Sequence, residues 1–483
     1  MSTDLETAVD TVWILTATVI IFFMQSGFAL LESGVCAPKN HVNIMMKNII
    51  DIVIGGFVYW SIGYGLQYGM NAGTNAFCGF GDFFIVFTEY KTFLHFVFQL
   101  SFSSTTITIV SGAMAERCNF NAYCILCATF VFVYCIPSGW LWRKNGFLNT
   151  LGAVDYCGAA GVHLVGGIAS LVAAFKLKPR RERYKHGWKT SAPKPGNAVN
   201  AILGTTILWW GFLFFNAGTS FGVTDGLWKI ASRAFIITIL SSIFGGITAL
   251  LYCNIFVKYI DVFTITNAIL TSMVAVCGCA ALIETYDAIY IGIMACIVSI
   301  LFSKLLDRLQ IDDPVGAIAV HAGGGIFGTL VVGLSLDFDA NVAASVAISK
   351  SQKGLFKNGG IVLMGKQIVA LLCITVWTAV TVFLIFLILD YFVKIRMSQE
   401  EEVIGGDLWV HGLPAFNFDF DTVLKETDYD VNKVIKRMNV VGYEKHIQLS
   451  GVVIANESVV SNNCVLKSYN EITLNPINLS KSD

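Results

Sequence analysis

Two stretches of the chain carry the same pattern around a histidine: DYCGAAGVHLVGGI (155–168) and DPVGAIAVHAGGGI (313–326). Asp, Gly, Val, His, two further Gly and Ile fall at the same offsets in both stretches. The chain has seven histidines, so two of them in matching contexts indicate an internal duplication. His163 and His321 each lie in an apolar stretch long enough to span a bilayer, where an ionisable side chain is costly and is interpreted first as functional.

The composition predicts a polytopic membrane protein. Of the 483 residues, 55% are hydrophobic and 13% are charged, and the mean hydropathy is +0.67. An ordinary soluble domain carries about 25% charged residues, so this chain has too much apolar surface for a soluble fold. The formal net charge of −1 gives no support for binding to nucleic acid.

Apolar stretches of bilayer length predict an all-α fold with eleven transmembrane helices. They occur at about 11–31, 52–72, 92–115, 119–142, 156–175, 198–220, 234–257, 262–283, 288–303, 314–336 and 367–389.

The histidine motifs fall in the fifth and tenth of these stretches, so each repeat holds five helices. Repeat one covers about 10–176, repeat two about 197–336, and an eleventh helix follows at about 362–394. An odd number of crossings makes the second repeat enter the membrane from the opposite side. We therefore expect inverted repeats within a transmembrane domain of residues 1–396, with the two histidines meeting near the middle of the bilayer.

The positive charge of the loops predicts the orientation. The most basic short loop (176–194) joins the fifth and sixth helices, and basic loops are usually cytoplasmic. The N-terminus is then extracellular and the C-terminus cytoplasmic, in a multi-pass protein that we expect in the plasma membrane. Charge rises from residue 397 onward, which favours a cytoplasmic regulatory tail (397–483) over a second folded domain.

Two facing imidazoles could share a proton or pass one along, because a neutral ring offers one donor and one acceptor. The simpler alternative is a hydrogen bond that only joins two helices. A third possibility, an intramembrane metalloenzyme, would need three or four ligands, and apart from Cys157 no Cys, Glu or third His lies within either motif. The sequence predicts no metal and no cofactor.

Each histidine is preceded by an aspartate, Asp155 or Asp313, eight residues earlier. The favoured interpretation for both is structural, with the carboxylate accepting hydrogen bonds from backbone N–H groups at a helix start. Asp155 could also add negative potential that attracts a cation.

Aromatic and hydroxyl side chains mark the ends of three helices that should open on the external side. Phe102 lies on the third, Trp140 and Trp142 end the fourth, and Phe215 and Thr219 end the sixth. Aromatic faces with one hydroxyl suit a small cation, although interfacial aromatic belts have a similar composition.

Several motifs together resemble the ammonium transporters of the Amt/Mep/Rh superfamily, in particular the eukaryotic type of the Amt branch. They are MQSGFALLESG (24–34), SGAMAER (111–117), FNAG (215–218) and DDP (312–314) followed by His321. The resemblance covers about residues 10–416. It implies a homotrimer with one pore per subunit, surrounded by membrane lipid, that takes ammonium or ammonia as its substrate, with methylammonium as a further candidate.

The resemblance also implies roles for individual residues. They are an external recruitment site at Trp142, Phe102 and Thr219, a phenyl gate at Phe102 and Phe215, a pore with His163 and His321, and an acidic residue below the vestibule at Asp155.

Three departures from the family pattern are visible. The segment from Trp142 to Asp155 is one residue longer than usual, so either Trp140 or Trp142 could hold the recruitment position. Thr219 stands where serine is common. The tail segment 406–416 keeps Asp407, His411 and Gly412 of a regulatory motif, but the residues after Gly412 differ.

These features predict a transporter and not an enzyme. Ammonium would dock at the aromatic site, lose a proton at or beyond the gate, and cross the pore as ammonia. Return of the proton through the histidine pair would make transport electrogenic. If ammonia crossed without the proton, the protein would be an ammonia channel. The alternative is an ammonium sensor that signals through the C-terminal tail without net flux.

Overall fold

Long apolar helices make up most of the protein in the computed structural model. The structure describes residues 2–86, 89–181, 183–185, 187, 196–337 and 352–413, all within one compact unit. Eleven apolar helices and no β-strand occur in these ranges, so the all-α prediction is confirmed for them. The helices are α1 (Asp4–Val35), α2 (Pro38–Tyr68), α3 (Tyr90–Ala113), α4 (Phe120–Trp142), α5 (Ala159–Leu177), α6 (Ala198–Gly218), α7 (Leu227–Val257), α8 (Val262–Cys277), α9 (Thr285–Arg308), α10 (Ile318–Ser335) and α11 (Val362–Phe392).

Ten of these helices are long and apolar enough to cross a membrane, and α8 is shorter, with 16 residues. The predicted stretch 262–283 was wrong at its end, because α8 stops at Cys277. The carbonyl oxygens of Cys277 and Gly278 accept hydrogen bonds from the backbone N–H groups of Cys157 (2.9 Å) and Tyr156 (2.9 Å). These carbonyl groups therefore bond to a segment that is remote in the sequence, and not to a further turn of α8.

The two histidine helices begin later than predicted, at Ala159 and Ile318 instead of 156 and 314. Shortly before each start a glycine adopts a positive φ, +105° at Gly158 and +79° at Gly316. A side chain with a Cβ is unfavourable there, so these glycines permit the turn into each helix. Each helix then opens with six residues of π-helix that include the histidine, a wide turn that often occurs at functional sites.

Helices α5 and α10 cross with their backbones in close contact. A Cβ added to Gly167 would lie 2.1 Å from the backbone nitrogen of Ala322, and one added to Gly325 would lie 2.7 Å from that of Leu164. Each glycine lies four residues after its own histidine, and each contacted residue follows the other histidine directly. The reciprocal contacts bring the two histidine turns together.

The ends of the helices form two opposite faces. We call the end with Trp142 and Thr219 the gate face, and the end with Lys39 and Arg180 the tail face. Around the tail face lie the connections α1–α2, α3–α4, α5–α6 and α9–α10, together with the segment after α11. Functional side chains can therefore be located by their depth between these two faces.

Candidate functional site

The two histidines lie side by side in the interior of the protein. The Nδ1 atoms of His163 and His321 are 3.1 Å apart, and the ring planes are inclined by 25°. His163 has no exposed surface and His321 is 4% exposed. Because the Nδ1 atoms face one another, the Nε2 atoms point outward, and the Nε2 atom of His163 has no hydrogen-bond partner. The pair can offer hydrogen bonds to a small solute.

Phenylalanine rings enclose the pair on several sides. The centroids of the Phe212 and Phe215 rings lie 5.4 Å and 5.5 Å from that of His163, and the Phe28 ring lies 6.3 Å from that of His321. The sequence analysis missed Phe28 and Phe212. Phe28 lies in α1, and Phe212 lies in α6 three residues before Phe215. Neither residue could be singled out in the sequence, because phenylalanine is common in any membrane helix.

Two stacked phenyl rings lie on the gate-face side of the histidine pair. The rings of Phe102 and Phe215 have centroids 4.0 Å apart and planes inclined by 11°, and both side chains are buried. Phe215 contacts His163 on its other side. The stack therefore lies between Trp142 and the histidine pair.

The two candidate tryptophans occupy different places. The Trp142 ring meets Phe102 edge-on at 6.1 Å, is only partly buried, and donates from Nε1 to the carbonyl oxygen of Asp155 (2.8 Å). Trp140 is buried, donates to the carbonyl oxygen of Phe77 (2.7 Å), and packs against Trp377. Of the two, Trp142 is the one whose indole borders the phenyl stack.

Thr219 ends helix α6 one turn beyond Phe215, on the same side of the helix. Its hydroxyl donates to the carbonyl oxygen of Phe215 (3.0 Å) and is partly exposed. The lone pairs of this oxygen therefore remain available to a donor such as an N–H group.

Asp155 is bound by four backbone N–H groups. They belong to residues 158–161, at distances between 2.8 and 2.9 Å. The carboxylate thus satisfies the free N–H groups at the start of α5 and holds the turn beside the Trp142 ring. These contacts favour the structural interpretation of this residue.

Asp313 occupies the corresponding place before α10, but its contacts are fewer. Its Oδ2 atom accepts from the backbone N–H groups of Ile318 (2.8 Å) and Ala319 (3.3 Å). Its Oδ1 atom is buried without a hydrogen-bond partner. The two motifs are therefore similar in sequence but not equivalent in their hydrogen bonds.

Comparison with known proteins agrees with this geometry. Residues 12–416 match the family model described as Ammonium Transporter Family. The chain belongs to the ammonium transporter family.

Relatives of the transporter occur in different organisms. It is 39% identical over 421 residues to putative ammonium transporter 3 of Caenorhabditis elegans, in an alignment that covers 84% of this chain and only 60% of the relative. It is 34% identical over 421 residues to ammonium transporter 3 of Dictyostelium discoideum, covering 86% of this chain and 96% of the relative. These names favour transport over the sensor alternative.

Solved structures share the fold of the transporter. The structure named Sensor Amt Protein superposes with a TM-score of 0.76 at 29% identity, covering 83% of this chain and 98% of that chain. Mep2 of Candida albicans superposes with a TM-score of 0.74 at 26% identity, covering 82% of this chain and 87% of that chain.

A buried charged cluster joins three connections on the tail face of the transporter. The Arg180 guanidinium contacts Glu116 and donates from Nε to Asp312 (2.8 Å). Burial by itself would raise the pKa of the Asp312 carboxyl, but Arg180 lowers that pKa to about 2. Burial likewise opposes ionisation of Glu116, and the same guanidinium lowers its pKa. The sequence analysis did not identify this cluster, because its members are far apart in the chain.

The tail motif binds the beginning of α2. The two carboxylate oxygens of Asp407 accept from the backbone N–H groups of Val42 (3.1 Å) and Asn43 (2.7 Å). A ring nitrogen of His411 lies 3.2 Å from the side-chain nitrogen of Asn43. Gly412 has a positive φ and ends the short helix Gly406–His411, which we call α12. Residues 414–483 of the predicted tail lie outside the described residues.

Two cavities lie between the histidine pair and the tail face of the transporter. A small one, of about 20 Å³, touches His321, and a larger one, of about 410 Å³, lies beyond it. Val315 and Gly316 line both, so the cavities are neighbours. The larger cavity is bordered by charged groups that include Arg180 and Asp307.

No metal site is evident in the part of the chain that the structure describes. Within those ranges, no group of three or more His, Cys, Asp and Glu side chains could hold a metal ion.

Proposed function

We propose that this ammonium transporter recruits ammonium at Trp142, Phe102 and Thr219 on the gate face. The observation that carries the proposal is the phenyl stack of Phe102 and Phe215 placed directly against His163. The Trp142 face can attract the cation through its π electrons, and the Thr219 oxygen can accept one of its N–H donors.

Ammonium must lose its water shell and its charge to pass the phenyl gate. Potassium has a similar size but has no proton to release, so a buried apolar pore discriminates between the two ions. The stacked rings and the phenylalanines around the histidines offer no countercharge. Ammonia, by contrast, is neutral and can form hydrogen bonds with the outward nitrogen atoms of His163 and His321.

The proton released at the gate has a hydrogen-bonded route through the histidine pair. The 3.1 Å contact between the Nδ1 atoms allows a proton to move from one ring to the other. We propose that it follows ammonia through the pore, so that transport is electrogenic. Uptake without current would instead mean that the protein conducts ammonia alone.

The membrane topology is part of the same proposal. We infer that the chain crosses the membrane eleven times, in two inverted five-helix repeats followed by α11. We count α8 among the crossings because its two ends have contacts on different faces. Asp261, just before α8, borders the same cavity as Arg180, whereas Gly278, just after it, bonds to Tyr156 near Trp142. The reciprocal glycine contacts of Gly167 and Gly325 support a two-fold relation between the repeats.

The family and the charge pattern of the loops support a proposal on orientation, assembly and tail function. We propose an extracellular gate face and a cytoplasmic tail face, in a homotrimer in the plasma membrane. Residues 1–396 form the transport domain, and the tail from residue 397 regulates it through Asp407, His411 and Gly412. The contacts of Asp407 with the start of α2 support this role.

The test is an ammonium jump applied to proteoliposomes that contain the purified protein, with uptake and current recorded together. We expect a saturable current in the wild type and a loss of that current in His163→Ala and His321→Ala. Both histidines are buried, so each variant must first be shown to be a monodisperse protein of normal thermal stability. Ammonium binding without uptake or current in the wild type would contradict transport and support the sensor function.

A further inference from the structure

A buried carboxylate lies close to the histidine pair, on the side away from the phenyl gate. Glu32 follows Phe28 by four residues on α1, so their side chains share one face of the helix. The Phe28 ring lies 6.3 Å from the His321 ring. Glu32 is therefore about one helical turn from His321, towards the tail face.

The small cavity connects the two residues. Its volume is about 20 Å³, and both His321 and Glu32 line it. A space of this size holds about one water molecule. His163 does not line the cavity, so His321 is the member of the pair that faces Glu32. The remaining lining is apolar, including Phe28, Leu31 and Val320.

The Glu32 carboxylate is held by neutral donors. The Ser111 hydroxyl lies 2.6 Å from one carboxylate oxygen and 2.7 Å from the other, and the Asn48 side-chain nitrogen donates at 2.9 Å. Glu32 is 2% exposed. Among the described residues no lysine or arginine forms an ion pair with it. Two neutral side chains, Ser111 and Asn48, therefore position the carboxylate.

A second buried carboxylate, Asp51, lies nearby but does not line the cavity. It accepts from the Thr108 hydroxyl (2.9 Å) and the Tyr123 hydroxyl (2.6 Å). The buried Lys47 ammonium lies in the same region and donates to the carbonyl oxygen of Cys118 (2.9 Å). Asp51 thus offers a matched control, since it is equally buried but separated from the path of the solute.

We propose that Glu32 accepts the proton that ammonium releases in the pore. An N–H bond of ammonium breaks and ammonia remains. The proton moves across His163 and His321, through one water in the small cavity, to a carboxylate oxygen of Glu32, where an O–H bond forms. Glu32 then returns the proton to water in the larger cavity of the tail face, which adjoins the small one at Val315 and Gly316. This inference rests on the proposed function.

The experiment compares Glu32→Gln with Asp51→Asn in the proteoliposome assay. Both changes remove one buried carboxylate and keep the shape of the side chain. We expect Glu32→Gln to lower the ammonium-evoked current by about a hundredfold, as loss of a positioned proton acceptor does, while ammonia entry changes by less than about twofold. Asp51→Asn should keep most of the current.

A spectroscopic readout tests the proton on Glu32 itself. In the wild type, an ammonium jump should produce the infrared carbonyl band of a protonated carboxylic acid. The band should persist in Asp51→Asn, disappear in Glu32→Gln and shift in frequency in Glu32→Asp. The wild-type measurement needs no variant, so a Glu32→Gln protein that does not fold would leave the inference testable.

The outcomes separate this inference from the proposed function. Absence of uptake in the wild type would overturn both. Uptake and current in the wild type, with an unchanged current in Glu32→Gln or without the infrared band, would overturn only the role of Glu32. Loss of ammonia entry together with current in a folded Glu32→Gln protein would also overturn it, because Glu32 would then act on passage of the solute.

Discussion

The Nδ1 atoms of His163 and His321 lie 3.1 Å apart although 158 positions separate the two residues in the chain. Between two neutral rings only one Nδ1 atom can carry the shared hydrogen. The ring that donates it has an Nε2 atom that accepts, and the other ring has an Nε2–H group that donates. The pair therefore presents one acceptor and one donor to a passing solute, which suits ammonia.

Replacing His163 with Asp should weaken discrimination against potassium. A carboxylate in place of the neutral ring adds a fixed negative charge to the pore, which stabilises a cation whether or not it can release a proton. The measurement is the ratio of ammonium to potassium current in proteoliposomes. An unchanged ratio in a folded variant would count against passage of neutral ammonia.

Replacing Trp142 with Leu should raise the ammonium concentration that gives half-maximal transport by about fivefold to thirtyfold, since a cation–π contact contributes about 1–2 kcal/mol. Trp140→Phe is the control. It removes the hydrogen bond to the Phe77 carbonyl, so it should lower the thermal unfolding midpoint and leave the half-maximal concentration near the wild-type value. The reverse pattern would assign recruitment to Trp140.

Asp155→Asn should destabilise the protein because the amide has a single acceptor oxygen. Its NH₂ group would face two of the four backbone N–H groups that the carboxylate now accepts. Leaving these donors unsatisfied costs about 1–3 kcal/mol each, which thermal unfolding in detergent would detect. A normal unfolding midpoint with weaker ammonium recruitment would assign Asp155 an electrostatic role instead.

The Asp312 carboxylate should make stability depend on pH in the acid range. Its pKa is lowered to about 2 in the folded protein from the ordinary value of 3.8. Its contribution to the free energy of unfolding is therefore fully present above pH 3.8 and is lost as the pH falls through the pKa of the folded protein. The contribution is about 2 kcal/mol. Asp312→Asn should be less stable than the wild type at pH 7, and the difference should narrow below about pH 3. A difference that stays constant down to that pH would contradict this account.

Asp407→Ala should loosen the tail from the start of α2. The change removes both acceptors of the Val42 and Asn43 N–H groups, a cap that contributes about 0.5–2 kcal/mol. Limited proteolysis should then cleave near α12 faster than in the wild type, with an intermediate rate in Asp407→Asn, which keeps one acceptor. Equal rates in all three proteins would mean that other contacts hold the tail.

The sequence predicted the helices better than their ends. Apolar run lengths located the ten helices that are long enough to cross a membrane and the shorter α8, although the run at 52–72 covers only the second half of α2. The signal is strong because burial in lipid requires a continuous apolar helix. The predicted starts at 156 and 314 and the end at 283 were wrong, because positive φ values at Gly158 and Gly316 and hydrogen bonds to Cys277 and Gly278 override the local pattern.

The candidate site was also only partly visible in the sequence. The duplicated motif identified both histidines, and an ionisable residue within an apolar run was a signal for Glu32 that the motif search did not use. Its position beside His321 could not be predicted, because it depends on how the helices between α1 and α10 position these two helices. The charged cluster of Arg180 with Asp312 was hidden for the same reason.

The sequence by itself determined that this chain is a helical membrane protein with a duplicated histidine motif, because hydropathy and internal similarity are properties of the chain alone. Only the tertiary structure decided that Trp142 and not Trp140 borders the phenyl stack, and that a cavity joins His321 to Glu32. These relations arise where helices cross, at close backbone contacts such as that of Gly167 with Ala322. The distance between two side chains at such a crossing depends on the packing of helices that are remote in the sequence.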